Sequence, residues 1–182
     1  MGSGPGTDGL TEGELGHRSS IPSPQRGEGE GEGERDAGMA FTNPPDAVIK
    51  AILCRPLTIA VVICSARPAS ESYRVAGRLR EFGYRVIPVN PFAAGTRIHG
   101  EQCYASVAEI PERVDLVDVF RHPDFVEPIV DDAIASGAEV LWMQLGVVHE
   151  AAARRASTAG LMVIMDRCTS RDYRRFFLSP AS

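Results

Sequence analysis

The sequence predicts an α/β protein in which a five-stranded parallel sheet lies between two layers of helices, a three-layer sandwich. Three observations carry this. Short apolar runs without alternation, such as residues 58–64 (TIAVVIC), read as strands buried on both faces. Between them lie stretches with apolar residues at helical spacing, and Gly or Pro stands at most of the junctions. Strand and helix signals alternate from residue 57 onward, the pattern of a parallel sheet with crossover helices.

Taken in order, residues 43–55 open with Pro44 and Pro45 and space Val48, Ile49, Ile52 and Leu53 as a short helix leading into the sheet. Residues 58–64 are the first strand. Residues 65–70 (SARPAS) are a polar turn. Residues 71–82 place Tyr73, Ala76, Leu79 and Phe82 on one helix face, and Gly83 ends the helix. Residues 85–89 are the second strand, closed by Asn90-Pro91. Residues 91–100 read as a loop, residues 103–105 as a short extended piece, and Ser106 caps a turn of helix stopped by Pro111. Residues 115–120 (DLVDVF) are the third strand. Asp115 and Asp118, three apart, point to opposite faces there, which makes them a poor catalytic pair. Residues 123–137 read as a helix with Phe125, Ile129, Val130, Ala133 and Ile134 inward. Residues 139–144 are the fourth strand, 149–160 an Ala-rich helix, 161–165 the fifth strand, and 170–177 a terminal helix with Tyr173, Phe176 and Phe177 packing back.

The strand order expected is 3-2-1-4-5, because it opens a crevice between strands 1 and 4. The C-terminal strand ends then gather residues 64–67, Asn90-Pro91, Phe120-Arg121, 144–147 and 166–168 along one edge. The turn at residues 65–72 meets the start of a helix, where unpaired N–H groups favour an anion, commonly phosphate. Serines there also serve as ordinary caps and turn residues. Arg97 is either a phosphate or carboxylate ligand or a solvent-facing side chain.

Charge is uneven along the chain. Residues 1–38 carry eight acids, three bases and eleven of the eighteen glycines; residues 39–182 carry 16 of each sign. The first stretch reads as a disordered acidic tail, or as an over-extended reading frame whose start is Met39, ahead of a domain at residues 39–182. A charge-balanced domain argues against nucleic acid as partner. No apolar run reaches the roughly 18 residues of a membrane span. No secretory signal is visible, so the expectation is a cytoplasmic protein. Cys54, Cys64, Cys103 and Cys168 form no C-x-x-C pair, and the four histidines are scattered, so no zinc site is expected. The single lysine, Lys50, leaves no G-K-[ST] phosphate loop.

Several segments, in order, resemble the small stand-alone coenzyme A-binding proteins, whose domain is similar to the nucleotide-binding domain of the succinyl-CoA synthetase α-subunit. They are SYRVAGRLREFGYRVIPVNP from Ser72, IHGEQCY from Ile98, VDLVDVFRHPDFV from Val114, WMQLGV from Trp142 and MDRC from Met165. The resemblance spans residues 45–176. It implies a Rossmann-like fold that binds CoA or an acyl-CoA as its ligand without catalysis. It places the turn residues Ser65, Ala66, Arg67, Ser70 and Ser72 at the pyrophosphate, with Tyr73 also among the binding residues, and Asn90 and Pro91 at the adenosine end. It places Phe120 and Arg121 beside the nucleotide and Gln144 and Gly146 near the pantetheine path. One position departs: the family's first strand usually ends in Gly, and Ile63 stands here. Glycine lets a pyrophosphate approach the backbone closely, and a branched side chain narrows that approach.

Two other readings compete with this one. An NAD(P)-dependent oxidoreductase needs G-x-G-x-x-G after the first strand and an acid closing the second; S-A-R-P-A-S and Asn90 stand there instead. A thiol-regulated protein forming a mixed disulfide with CoA would use Cys64 or Cys168 at the strand ends, with Arg67 or Arg167 lowering the thiol pKa. Phe176, Phe177 and Leu178 could also form an oligomer contact.

Overall fold

Thr58–Val62 (β1) is a central strand because its TIAVV run offers no polar face to water; all but Thr58 are buried. The computed structural model describes residues 40–179, so the acidic stretch at residues 1–38 lies outside it. Around β1 stand Arg85–Val89 (β2), Leu116–Val119 (β5), Val140–Met143 (β6) and Met162–Ile164 (β7). They form one sheet in the order β2-β1-β5-β6-β7, and every pairing is parallel. A two-residue antiparallel hairpin, Arg97–Ile98 (β3) and Glu101–Gln102 (β4), stands apart.

Outside β2, a single parallel bridge joins Val89 to Tyr104. With that segment in third place, the sheet follows the predicted 3-2-1-4-5 pattern. Residues 115–120, expected in that place, form β5 beside β1 instead, so the strand order reverses between β1 and β5. The physical reason lies in the two segments. LVDV is buried along its whole length and needs a neighbour on each side. The Tyr104 segment can manage with one, and Pro88 limits it to a short pairing: its carbonyl accepts from Tyr104 N (3.1 Å), but it has no N–H to extend the ladder.

Helices cover both faces. Asp46–Leu53 (α1), Glu71–Glu81 (α2) and Thr169–Tyr173 (α5) pack over one apolar layer that includes Ile59, Leu79 and Trp142. Glu127–Ser136 (α3) and Glu150–Thr158 (α4) cover the other, with Ala60, Val130, Leu141 and Ala153. Polar side chains close the open ends. Asn43 lies against Met165, donating to its carbonyl (2.8 Å) and accepting from its N–H (2.7 Å), as a neighbouring strand would. Trp142 is fully buried and donates its indole N–H to the Arg167 carbonyl (2.7 Å).

Two local expectations change. The helix expected over 123–137 begins as a 3-10 turn, Pro123–Phe125, and α3 starts at Glu127. Pro128 has no N–H for the Asp124 carbonyl, so a continuous helix is interrupted there. Phe125, expected inward, is 54% exposed and stands 4.7 Å from the Arg121 guanidinium. The loop expected at 91–100 carries β3 and the turn of the β3–β4 hairpin. Its turn residues His99 and Gly100 both have positive φ (52° and 81°), the hand that fits a two-residue hairpin.

Candidate functional site

The β1–α2 connection is the centre of the site. Ser70 caps α2, its Oγ accepting from Tyr73 N (3.2 Å) and donating to the Arg67 carbonyl (2.9 Å). Ser72, buried in the first turn, accepts from Ser65 N (3.0 Å), and Ser65 Oγ accepts from Arg67 N (3.1 Å). The three serines therefore fold the turn back on itself. Glu71 and Ser72 are the two first-turn residues whose N–H groups have no preceding turn to bond to, so they face the turn as donors. Ala66 and Arg67 are exposed on its outer side.

Just before the turn, Ile63 has φ = 61°. This left-handed conformation suits glycine and is strained for a β-branched residue. The strain is held from both sides: Val62 pairs with Val89, and Cys64 N donates to the Val89 carbonyl (3.1 Å). Asn90 adds a clamp, donating to the Cys64 carbonyl (3.0 Å) and accepting from Phe92 N (3.0 Å). Replacing Asn90 with Ala is expected to cost about 1–3 kcal/mol, because a buried carbonyl loses its partner. Thermal unfolding would register this as a lower Tm; an unchanged Tm would show the clamp to be dispensable.

Two clefts flank the turn, one against each helix layer. The first, about 280 Å³, is apolar: Ile63, Pro91, Phe92, Ala105, Phe125 and Ile129 line it, with Arg121 and Asp132 at its polar margin. Phe92 is 84% exposed, so two aromatic rings, Phe92 and Phe125, stand open to the cleft. Burial raises the Asp132 carboxyl above its ordinary range, and Asp131 beside it adds to the effect. The second cleft, about 460 Å³, is polar. α2 contributes Glu71, Arg74 and Arg78, the β5 and β6 ends contribute Phe120 and Gln144, and the last helix contributes Cys168 and Arg171.

Gln144 is held from below. Its Nε2 donates to both carboxylate oxygens of Asp118 (2.8 and 3.0 Å) and to Thr169 Oγ1 (2.8 Å); Thr169 in turn donates to Asp118 (3.0 Å). Asp118 is fully buried, and burial pushes its pKa up to about 7 against the opposing hydrogen bonds. The sequence placed Asp118 inside a strand and gave it no role beyond failing as half of a dyad. A lone acid in the middle of the apolar run LVDVF was the available signal.

Of the residues singled out from sequence, Ser65, Ala66, Arg67, Ser70 and Ser72 come together in the turn. Asn90, Pro91, Phe120, Arg121 and Gln144 reach the same edge. Gly146 donates its N–H to Asp166 Oδ1 (2.7 Å), joining the β6 and β7 loops. Tyr73 stacks on His99 at 3.9 Å between ring centroids, and its carbonyl bonds to His99 Nε2 (2.8 Å), so it ties the hairpin to α2. Arg97 donates to the Gly100 carbonyl (2.8 Å) within its own hairpin and lines neither cleft. Cys64 is fully buried, and burial pushes its thiol up to about 12, which opposes reactivity there. Among the described residues, no group of three His, Cys, Asp or Glu could hold a metal, and no helix is long and apolar enough to cross a membrane.

The parallel sheet, its reversal of order at β1 and the loops at its C-terminal edge are those of a Rossmann-like α/β domain. More particularly, the chain belongs to the CoA binding domain family, whose model matches residues 57–174. It is 37% identical over 126 residues to the uncharacterized protein YneT of Bacillus subtilis, covering 69% of this chain and 92% of YneT. It is 31% identical over 93 residues to the α-subunit of an ADP-forming acetate–CoA ligase of Pyrococcus furiosus. That match covers 49% of this chain and only 20% of the ligase subunit. Among solved structures, a hypothetical protein from Pyrococcus horikoshii superposes with a TM-score of 0.69 at 36% identity, covering 76% of this chain and 99% of that protein.

Proposed function

We propose that this chain binds CoA or an acyl-CoA at the C-terminal edge of its sheet and carries out no reaction of its own. The observation that carries this reading is the head of α2. Its serines are committed to shaping the turn, which leaves backbone N–H groups for a diphosphate, between one apolar and one polar cleft. The apolar cleft suits the adenosine end, with Phe92 and Phe125 available to the ring and Arg121 to a phosphate. The thioester arm then runs past Phe120 and Gln144. Among the described residues, the three histidines have structural partners instead of a nucleophile: His99 bonds to the Tyr73 carbonyl, His122 accepts from Asp124 N, and His149 caps α4. The charge balance of residues 39–182 and the spaced cysteines favour a cytoplasmic small-molecule binder over a partner of nucleic acid or membrane.

Calorimetry with CoA, NAD and ATP in parallel tests this. CoA is expected to bind and NAD to give no comparable heat. Binding of NAD without CoA would reverse the reading.

A further inference from the structure

We infer that the polar cleft is an anion pocket for the far end of the acyl group, so that the preferred ligand is a CoA thioester of a dicarboxylic acid. The inference rests on the CoA reading above and goes beyond it to the ligand's acyl class. Three arginines, Arg74, Arg78 and Arg171, line this cleft against one acid, Glu71. Arg74 is paired with Glu71. Arg78 and Arg171 have no acidic partner among the described residues, unlike Arg55 and Arg113, which share Glu139, Arg85, which bridges Glu101 and Glu112, and Arg167, which joins Asp46 and Asp172. Arg67, Arg97, Arg121 and Arg174 also lack one, but none of those four lines this cleft.

Position argues for the acyl end over the phosphates. The apolar cleft lies against the helix layer of α3, and the polar cleft against that of α2 and α5. With the nucleotide in the first and the diphosphate at the head of α2, the arm crosses the sheet edge into the second. There Gln144, its Nε2 held by Asp118 and Thr169, keeps its carbonyl oxygen for an amide N–H of the arm. Two guanidinium groups beyond it can grip a terminal carboxylate in a charge-assisted fork. A methyl group in the same place would leave both arginines unmatched.

The matched probes are glutaryl-CoA and valeryl-CoA, whose five-carbon acyl groups differ by a terminal carboxylate in place of a methyl. Calorimetry on the full chain is expected to show glutaryl-CoA binding about tenfold more tightly, the scale of one good charge-assisted contact. In an Arg78→Gln, Arg171→Gln variant the two thioesters should bind alike, with affinity for CoA itself unchanged. Equal affinity of the unaltered chain for both thioesters would overturn the inference without touching the CoA reading. So would a variant that loses CoA and glutaryl-CoA affinity by the same factor, because the arginines would then hold a phosphate of CoA. If CoA and both thioesters fail to bind, the reading beneath it falls, and this inference with it.

Discussion

Replacing Asp118 with Asn is expected to stabilise the protein at pH 8 and to change it much less at pH 5. The folded pKa of Asp118 is raised to about 7, from an ordinary 3.8. A carboxyl whose folded pKa is raised binds its proton more tightly in the native state. Its contribution is therefore fully present below the unfolded pKa, declines as pH rises from about 4, and is lost once pH passes about 7. Asn has the shape of the protonated acid and does not titrate. The advantage of the variant should thus widen between pH 5 and pH 8, by on the order of 2 kcal/mol. Urea unfolding of both proteins at the two pH values measures this. Parallel pH dependence in the two would show that Asp118 does not carry the titration. The same substitution acts on the polar cleft, since Asp118 and Thr169 set which end of the Gln144 amide faces it.

Replacing Ile63 with Gly is expected to tighten CoA binding about tenfold while leaving stability nearly level. A left-handed conformation costs an L-residue about 1–2 kcal/mol, which glycine does not incur. Against this stand the loss of a half-buried side chain that packs on the core and the greater chain entropy of glycine, together of similar size. The terms nearly cancel in folding. In binding they do not, because removing Cβ lets a diphosphate approach the backbone between β1 and the head of α2. Ile63→Ala separates the two causes: it empties the apolar cleft but keeps a Cβ at positive φ. If Ala and Gly tighten binding equally, bulk was the obstacle. If neither changes the Kd, the ligand does not pass this strand end.

How much was legible in the sequence varied with how local the cause was. The TIAVV and LVDV runs, the Ser70 cap and the Gly83 stop each act within a few residues, and all were readable. The turn at 65–72 was legible as a helix head, because capping residues and phosphate ligands use the same end of a helix. The polar cleft was not legible. Arg78 and Arg171 lie far apart in the chain, and nothing local marks either as lacking an acidic partner. Asp118 was visible as an acid in a strand, but its contact with Gln144, 26 residues on, was not. Phe125 went outward because Pro128 broke a helix that apolar spacing alone would have continued.

By itself, the sequence determined the element types, their alternation, the parallel sheet and the edge at which loops meet. These follow from backbone hydrogen bonding and from the spacing of apolar side chains, which neighbouring residues decide. Only the tertiary structure decided that residues 115–120 stand beside β1 while the Tyr104 segment takes the outer place, that Ile63 is held left-handed, and that two arginines with no acidic partner among the described residues share one cleft. Each of these depends on which distant segments come to lie side by side, and that is settled by burying both faces of the sheet at once.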